Sequence, residues 1–161
     1  AGNLDEKMYE TIAKLQVPYI MMHMQGTPEN MQITPVYANV TEEIISFFSA
    51  KLALLRDLGV HDIIVDHGFG FGKTLVHNYE LLQNLEHFQI FGLPLLVGLS
   101  RKSMIYRFLD IKPEEALNGT TVVNTMALIK GADIIRVHDV AEARQTLEIY
   151  RKWVDPSWQR N

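Results

Sequence analysis

Cysteine is absent from the 161 residues. That excludes disulfides and thiolate metal sites, and it is compatible with the cytoplasm, where we expect the chain. Nor is positive charge in excess: 15 Lys and Arg stand against 19 Asp and Glu, a formal charge of -4. The balance argues against nucleic acid as a partner, so cations that bind a ligand must be grouped locally. No apolar run approaches the roughly 20 residues of a membrane span, and no signal pattern opens the chain, so no membrane partner is expected. What is present, 47% hydrophobic and 21% charged residues, suits one globular domain with a normal core.

The most informative stretch is Val65-Asp66-His67-Gly68-Phe69-Gly70-Phe71-Gly72-Lys73. The run before it, residues 62–66, is β-branched and too short for a helix, so it reads as a buried strand ending on Asp66. Three glycines at alternate positions let backbone approach a ligand closely, and the phenylalanines between them offer flat apolar faces. A carboxylate at the strand end can be a plain turn or cap residue. It can also accept two parallel hydrogen bonds from an amidine-like edge, as a guanidinium or a 2-amino-4-oxo pteridine presents. A phosphate-binding P-loop would need glycine five residues before Gly72, where the chain has His67, so Gly72-Lys73-Thr74 is not read as one.

In chain order, Leu4, Met8, Ile12 and Leu15 predict a helix over residues 1–16 begun by Gly2 or Asn3. Residues 17–24 follow as a strand with Pro18 at its start. Thr41 as N-cap with Glu42 and Glu43 behind it predicts a helix to Gly59, carrying Ile44, Ile45, Phe48, Leu52 and Leu55 inward. After the glycine loop come a helix through Tyr79, Leu82 and Leu85 to Gly92 and a strand over residues 93–99. Pro113 with Glu114 and Glu115 starts a further helix. Residues 132–138 form the last strand, and Asp139 with Glu142 a capping-box start to a helix with Val140, Ala143, Leu147 and Tyr150 inward. The domain is expected over residues 1–154, with residues 155–161 a frayed polar tail.

Apolar strands alternating with helices imply an α/β fold with a parallel sheet. The four strand–helix units visible here are half of an eight-stranded barrel, which needs about 250 residues, or a complete open doubly wound sheet. Pattern alone favours the open sheet, because half a barrel leaves raw edges and an uncovered interior. In either fold the ligand site lies at the carboxyl ends of the strands. His23 or Gln25, Asp66, Ser100 to Ser103, and Arg136 with His138 all fall there. Arg136 and His138, two apart, would project from one face, with Ile135 and Val137 on the other; they could equally bond Asp133 or Asp139. Ser100-Arg101-Lys102-Ser103 sits where a helix begins, a natural anion site. His61, His77 and His87 lack ligand spacing and His67 follows Asp66 too closely, so no metal site is expected.

The segments MMHMQGTPENMQ, DHGFGFGK, GLSRKSM and ADIIRVHDV, in this order and spacing, resemble the dihydropteroate synthases. The resemblance runs from Tyr19 to Trp153 and implies a (β/α)8 TIM barrel, of which this would be the C-terminal half. It implies condensation of 6-hydroxymethyl-7,8-dihydropterin diphosphate with p-aminobenzoate to 7,8-dihydropteroate and diphosphate in folate biosynthesis, a target of sulfonamides. Carried over residue by residue, Asp66 would bind the pterin's amino-pyrimidine edge and Met22 would pack on the ring. Lys102 would contact the pterin and line the p-aminobenzoate pocket, with Ser100 at the carboxylate and Gly70 and Phe71 beside the benzoate ring. Arg136 and His138 would hold the diphosphate, and Val137 between them is a further substrate-binding candidate. Lys102, Arg136 and His138 are thereby the catalytic candidates, stabilising charge as diphosphate leaves and a pterin cation forms.

Two departures accompany the resemblance. His67 stands where the family has proline, which would loosen the loop and put a titratable group beside the pterin. The family's N-terminal half, with its Mg2+-binding asparagine, is not matched, so no Mg2+ ligand is expected in this chain and turnover by it alone is not expected. A homodimer through the C-terminal helices is expected. The competing functions are a pterin-dependent methyltransferase, which has no use for a diphosphate site, and a non-catalytic pterin- or diphosphate-binding fragment.

Overall fold

The computed structural model describes residues 4–5, 7–31, 33 and 35–160. Four parallel strands, β1 (Tyr19–Met22), β2 (Ile63–Asp66), β3 (Leu95–Val97) and β4 (Ile134–Ile135), lie in the order β1-β2-β3-β4. A doubly wound sheet reverses at a switch point and carries helices on both faces. A sheet that never reverses, with right-handed crossovers, keeps its helices on one side. The observed order is that of a (β/α)8 barrel, so the chain is four strand–helix units of that fold and not an open doubly wound sheet.

Alternation along the strands separates two faces. The register pairs Tyr19 with Ile63, Met21 with Val65, Val65 with Leu95 and Val97 with Ile135, and every one of these belongs to or packs on the hydrophobic core. Helix α2 (Val40–Asp57) adds Ile44, Phe48, Leu52 and Leu55 to that core, and α3 (Leu75–Gln83) adds Leu81 and Leu82. The 3-10 turn Leu85–Phe91 adds Phe88, α4 (Ser103–Leu109) Met104 and Ile105, and α5 (Leu117–Ile129) Val123 and Ala127. Each of the larger of these side chains contributes roughly 1.5–3 kcal/mol by leaving water. The other face carries Ile20, Met22, Ile64, Asp66, Leu96 and Ile134 in register. No helix covers it among the described residues, and Ile20 and Ile134 remain 46% and 36% exposed.

Several local expectations give way. Helix α1 is only Met8–Leu15, and Tyr9 turns inward, edge-on to Tyr19, while Leu4 and Leu15 are exposed; Gly2 and Asn3 lie outside the described residues. An aromatic ring had a place against β1 and outweighed the aliphatic spacing. Helix α2 is capped by Asn39, whose side chain accepts from the Thr41 and Glu42 N–H groups. Thr41 is inside the helix. Strand β4 is two residues long, not seven. Helix α6 (Val140–Val154) buries Ala143 and Thr146 and leaves Val140 exposed. Its Asp139 makes no capping bond, because that carboxylate goes to Arg101. In the exposed tail, Asp155 accepts from Ser157, Lys152 donates to the Trp158 carbonyl, and Arg160 pairs with Glu148.

Candidate functional site

The uncovered face and the carboxyl ends of the strands meet at Asp66. Its residue is 1% exposed. One carboxylate oxygen, Oδ1, accepts from the Gly68 N–H at 2.9 Å, an Asx turn that starts the glycine loop. The other, Oδ2, lies 2.9 Å from Nη2 of Arg136, but out of hydrogen-bond alignment. Met22 on β1 and Leu96 on β3 are its register neighbours and give it apolar flanks. Arg136 reaches it by crossing Gly98, where a Cβ would stand 2.8 Å from the guanidinium.

The glycine loop is not held the way its composition suggests. Gly68 and Gly72 have positive φ, and a Cβ on either would meet backbone of the segment after β1: His23 O at 1.9 Å for Gly68, Gln25 O at 2.5 Å for Gly72. Their missing side chains admit the chain's own backbone rather than a ligand. Only Gly70 faces the site, against the Lys102 methylenes. Inside the loop lies Lys73, buried, with Nζ at 2.9 Å from the Gly68 carbonyl, 3.0 Å from the Phe71 carbonyl and 3.1 Å from His23 Nδ1. Burial pulls its ammonium down to about 7, opposed by Asp66 and helped by Lys102. Asn78 on α3 accepts from the Gly70 N–H, and Tyr37 donates to the Gly72 carbonyl.

Both buried histidines here are held neutral. His23 packs edge-on to Phe47, and desolvation, then Lys73, lowers it to about 3. His67 is fully buried among Phe48, Phe69 and Phe88, the last at 4.3 Å between ring centroids, and desolvation lowers it to about 3. It therefore does not stand beside a ligand, and the loop it begins is not loosened.

The β3 and β4 ends are more open. Lys102, half-buried, donates to the Phe69 carbonyl at 2.8 Å and stands 4.3 Å over the Phe71 ring. Desolvation and then Arg136 hold its pKa below the usual lysine range. Ser100 Oγ is 3.0 Å from His138 Nδ1 and accepts from the His138 N–H. Arg101 makes a two-pronged pair with Asp139. Val137 is half-buried beside them.

The structure thus gathers Asp66, Met22, Gly70, Phe71, Lys102 and Arg136 in one place and puts Ser100 with His138 next to it. It does not join Arg136 and His138: the strand ends at Ile135, and the two side chains take different partners. Two of the N–H groups that lead into α4 are already taken, since those of Arg101 and Lys102 donate to Thr120 and Leu99. Lys73 and Gly98 were missed from sequence. An isolated glycine inside an apolar strand signals close approach, whereas a lysine closing a glycine loop carries no local sign of the carbonyls and imidazole it meets.

Residues 1–138 match the family described as pterin binding enzyme. The chain is 44% identical over 142 residues to the dihydropteroate synthase of Escherichia coli strain K12, covering 87% of this chain and 50% of that protein. Among solved structures, the Yersinia pestis dihydropteroate synthase with a sulfonamide drug superimposes with a TM-score of 0.88 at 40% identity, over 91% of this chain and 54% of that one. The dihydropteroate synthase of Thermus thermophilus in complex with 4-aminobenzoate does so at 0.89 and 34%, over 95% and 63%. The chain spans about half the length of the curated relatives it matches.

Proposed function

The chain belongs to the pterin-binding enzyme family, and from that premise we propose that it carries the pterin- and p-aminobenzoate-binding strand ends of a cytoplasmic dihydropteroate synthase. The observation that carries the reading is Asp66: a buried carboxylate on the uncovered face, flanked by Met22 and Leu96, with Oδ2 out of line for a hydrogen bond from Arg136. A pterin's N–H and NH2 edge is the planar, amidine-like group such a carboxylate accepts. When the edge takes Oδ2, Arg136 is released toward the diphosphate.

The reaction breaks the bond between the pterin's exocyclic carbon and the diphosphate oxygen, which leaves with the bonding pair. The arylamine nitrogen of p-aminobenzoate then attacks that carbon and loses a proton to solvent. Lys102, Arg136 and His138 stabilise the departing charge, with Val137 shaping the wall beside them. Phe71, Gly70 and the Lys102 stem hold the benzoate ring, and Ser100 meets its carboxylate. Orientation of two flat rings supplies much of the rest. That the Thermus relative holds 4-aminobenzoate and the Yersinia relative a sulfonamide drug supports the second-substrate assignment and a sulfonamide target.

The Mg2+ implied by the resemblance does not fit this end of the chain. Asp66 is engaged by Gly68 and Arg136, and no three His, Asp or Glu converge among the described residues. A homodimer through the C-terminal helices α5 and α6 is supported by exposed Met126, Ile149 and Trp153 on them, and sedimentation at increasing concentration tests it. No described helix is long and apolar enough to cross a membrane.

The test is calorimetric titration with dihydropterin diphosphate beside Asp66→Asn. Saturable binding that the variant loses supports the reading, with or without turnover. Equal binding by both proteins removes Asp66 from this role, and no binding by either counts against a pterin site formed by this chain.

A further inference from the structure

The proposed substrate contacts leave Lys73 unexplained. A lysine this buried loses several kcal/mol of hydration in principle, yet it touches no carboxylate directly. Its three short contacts are the Gly68 and Phe71 carbonyls and His23 Nδ1. An ammonium has three N–H donors and no acceptor, so the three partners match it one for one, with His23 bare at Nδ1 and protonated at Nε2. The two carbonyls are the two ends of the turn that the Phe71 N–H closes onto Gly68. The imidazole is just beyond the end of β1. Nζ therefore ties the glycine loop to itself and to the segment just after β1, while Lys102 holds the Phe69 carbonyl.

We propose that Lys73, seated on His23, is a positioning residue of the site: it fixes the loop that sets the Asp66 carboxylate and the Phe71 ring, and it touches no substrate. The proposal rests on the reading of Asp66 and Phe71 as substrate contacts. It also has a chemical consequence. A neutral amine keeps two N–H donors and gains a lone pair, and the carbonyls can only accept. If Lys73 loses its proton, contact survives only when His23 shifts to the Nδ1–H tautomer and donates to the amine. The pair then holds the loop in either protonation state while the buried charge disappears. Around it stand Asp66 and His67 from β2 and its end, Lys102 from the start of α4, and Arg136 from beyond β4, paired to Asp66. His23 and His67 stay neutral across this range, which leaves Lys73 as the proton that moves near neutrality.

The experiment uses isotope-labelled protein, wild type and Lys73→Met. In the variant, the Gly68, Gly70 and Phe71 amides should lose roughly tenfold or more of their exchange protection, the scale of lost charged hydrogen bonds, while the Arg136 amide on the Val97 carbonyl keeps its own. Equal loss at both places would mean general destabilisation and would overturn the proposal. If Lys73→Met does not fold, wild type alone decides: His23 Nδ1 should pass from unprotonated to protonated in step with the Lys73 side chain as pH rises through about 7. A His23 Nδ1 that is protonated throughout, or indifferent to Lys73, would overturn it. Dihydropterin diphosphate binding roughly tenfold weaker in Lys73→Met supports the role, and equal binding counts against it. Absence of binding by wild type strikes the functional reading above, and the exchange and proton data still decide this one.

Discussion

The β1–β2 half of the strand-end site and the β3–β4 half are built from opposite materials. The first buries its polar groups, His23, Asp66, His67 and Lys73, in low dielectric, and holds all but His67, which packs among aromatic rings, with short contacts. The second leaves Arg136 and His138 exposed and relies on ion pairs and a serine hydroxyl. Buried groups fix geometry but tie stability to their protonation; exposed groups are free to change partners as a ligand arrives. The division suits a site in which one side recognises a rigid ring and the other follows a leaving group.

The largest effect expected from this contrast is acid sensitivity of the buried half. Unfolding returns His23 and His67 from about 3 to about 6.5. Between those values the unfolded chain binds two protons that the folded chain refuses. Stability is therefore lost as pH falls from about 6.5 toward 3, by roughly 1.4 kcal/mol per pH unit for each histidine. Lys73 acts in the same direction at the alkaline side: between about 7 and 10.5 the unfolded chain keeps its proton and stability rises with pH. Denaturant midpoints at pH 7, 6 and 5 check the first trend, and a flat profile would show the imidazoles to be solvated. His67→Phe should remove about half of the slope.

The glycine loop comes next. Gly68→Ala combines a positive φ with a Cβ 1.9 Å from the His23 carbonyl oxygen, whereas Gly59→Ala has the positive φ and open space. The first should destabilise by about 3 kcal/mol or more and the second by about 1–2 kcal/mol, the left-handed penalty alone. Equal losses in urea unfolding would mean that the loop can retreat from β1. On the open half, Ser100→Ala removes one buried hydroxyl from His138, and a loss of about 1 kcal/mol is expected.

How far the sequence reached follows the same division. Asp66 at a strand end, the convergence of polar residues at one end of the sheet and the helical face of α2 were legible, because each rests on local periodicity. The four motifs of the resemblance supplied the barrel, where strand pattern alone leaned toward an open sheet; the decisive fact, strand order, is a tertiary property. Asn39 displaced Thr41 as a cap because both residue types cap well and the backbone chose between them. The roles of Gly68, Gly72, Gly98 and Lys73 were not legible, since what each one touches comes from another strand. Composition signals that a glycine is needed for close approach; it does not say by what.

The smallest effect separates the halves most cleanly. Arg101 and Asp139 form a two-pronged contact that diverts Asp139 from capping α6. Arg101 itself sits at φ 53 with its N–H on Thr120. The pair is only part-buried, so water still screens it in part, and Asp139 regains a helix N-terminus to cap when Arg101 is removed. Arg101→Gly relieves the left-handed backbone while deleting the pair, so the losses and gains oppose one another. Its denaturation midpoint should stay within experimental error of wild type, at low salt and at high. A loss comparable to Gly68→Ala would mean that the open half is held as rigidly as the buried one, and the contrast between them would fail.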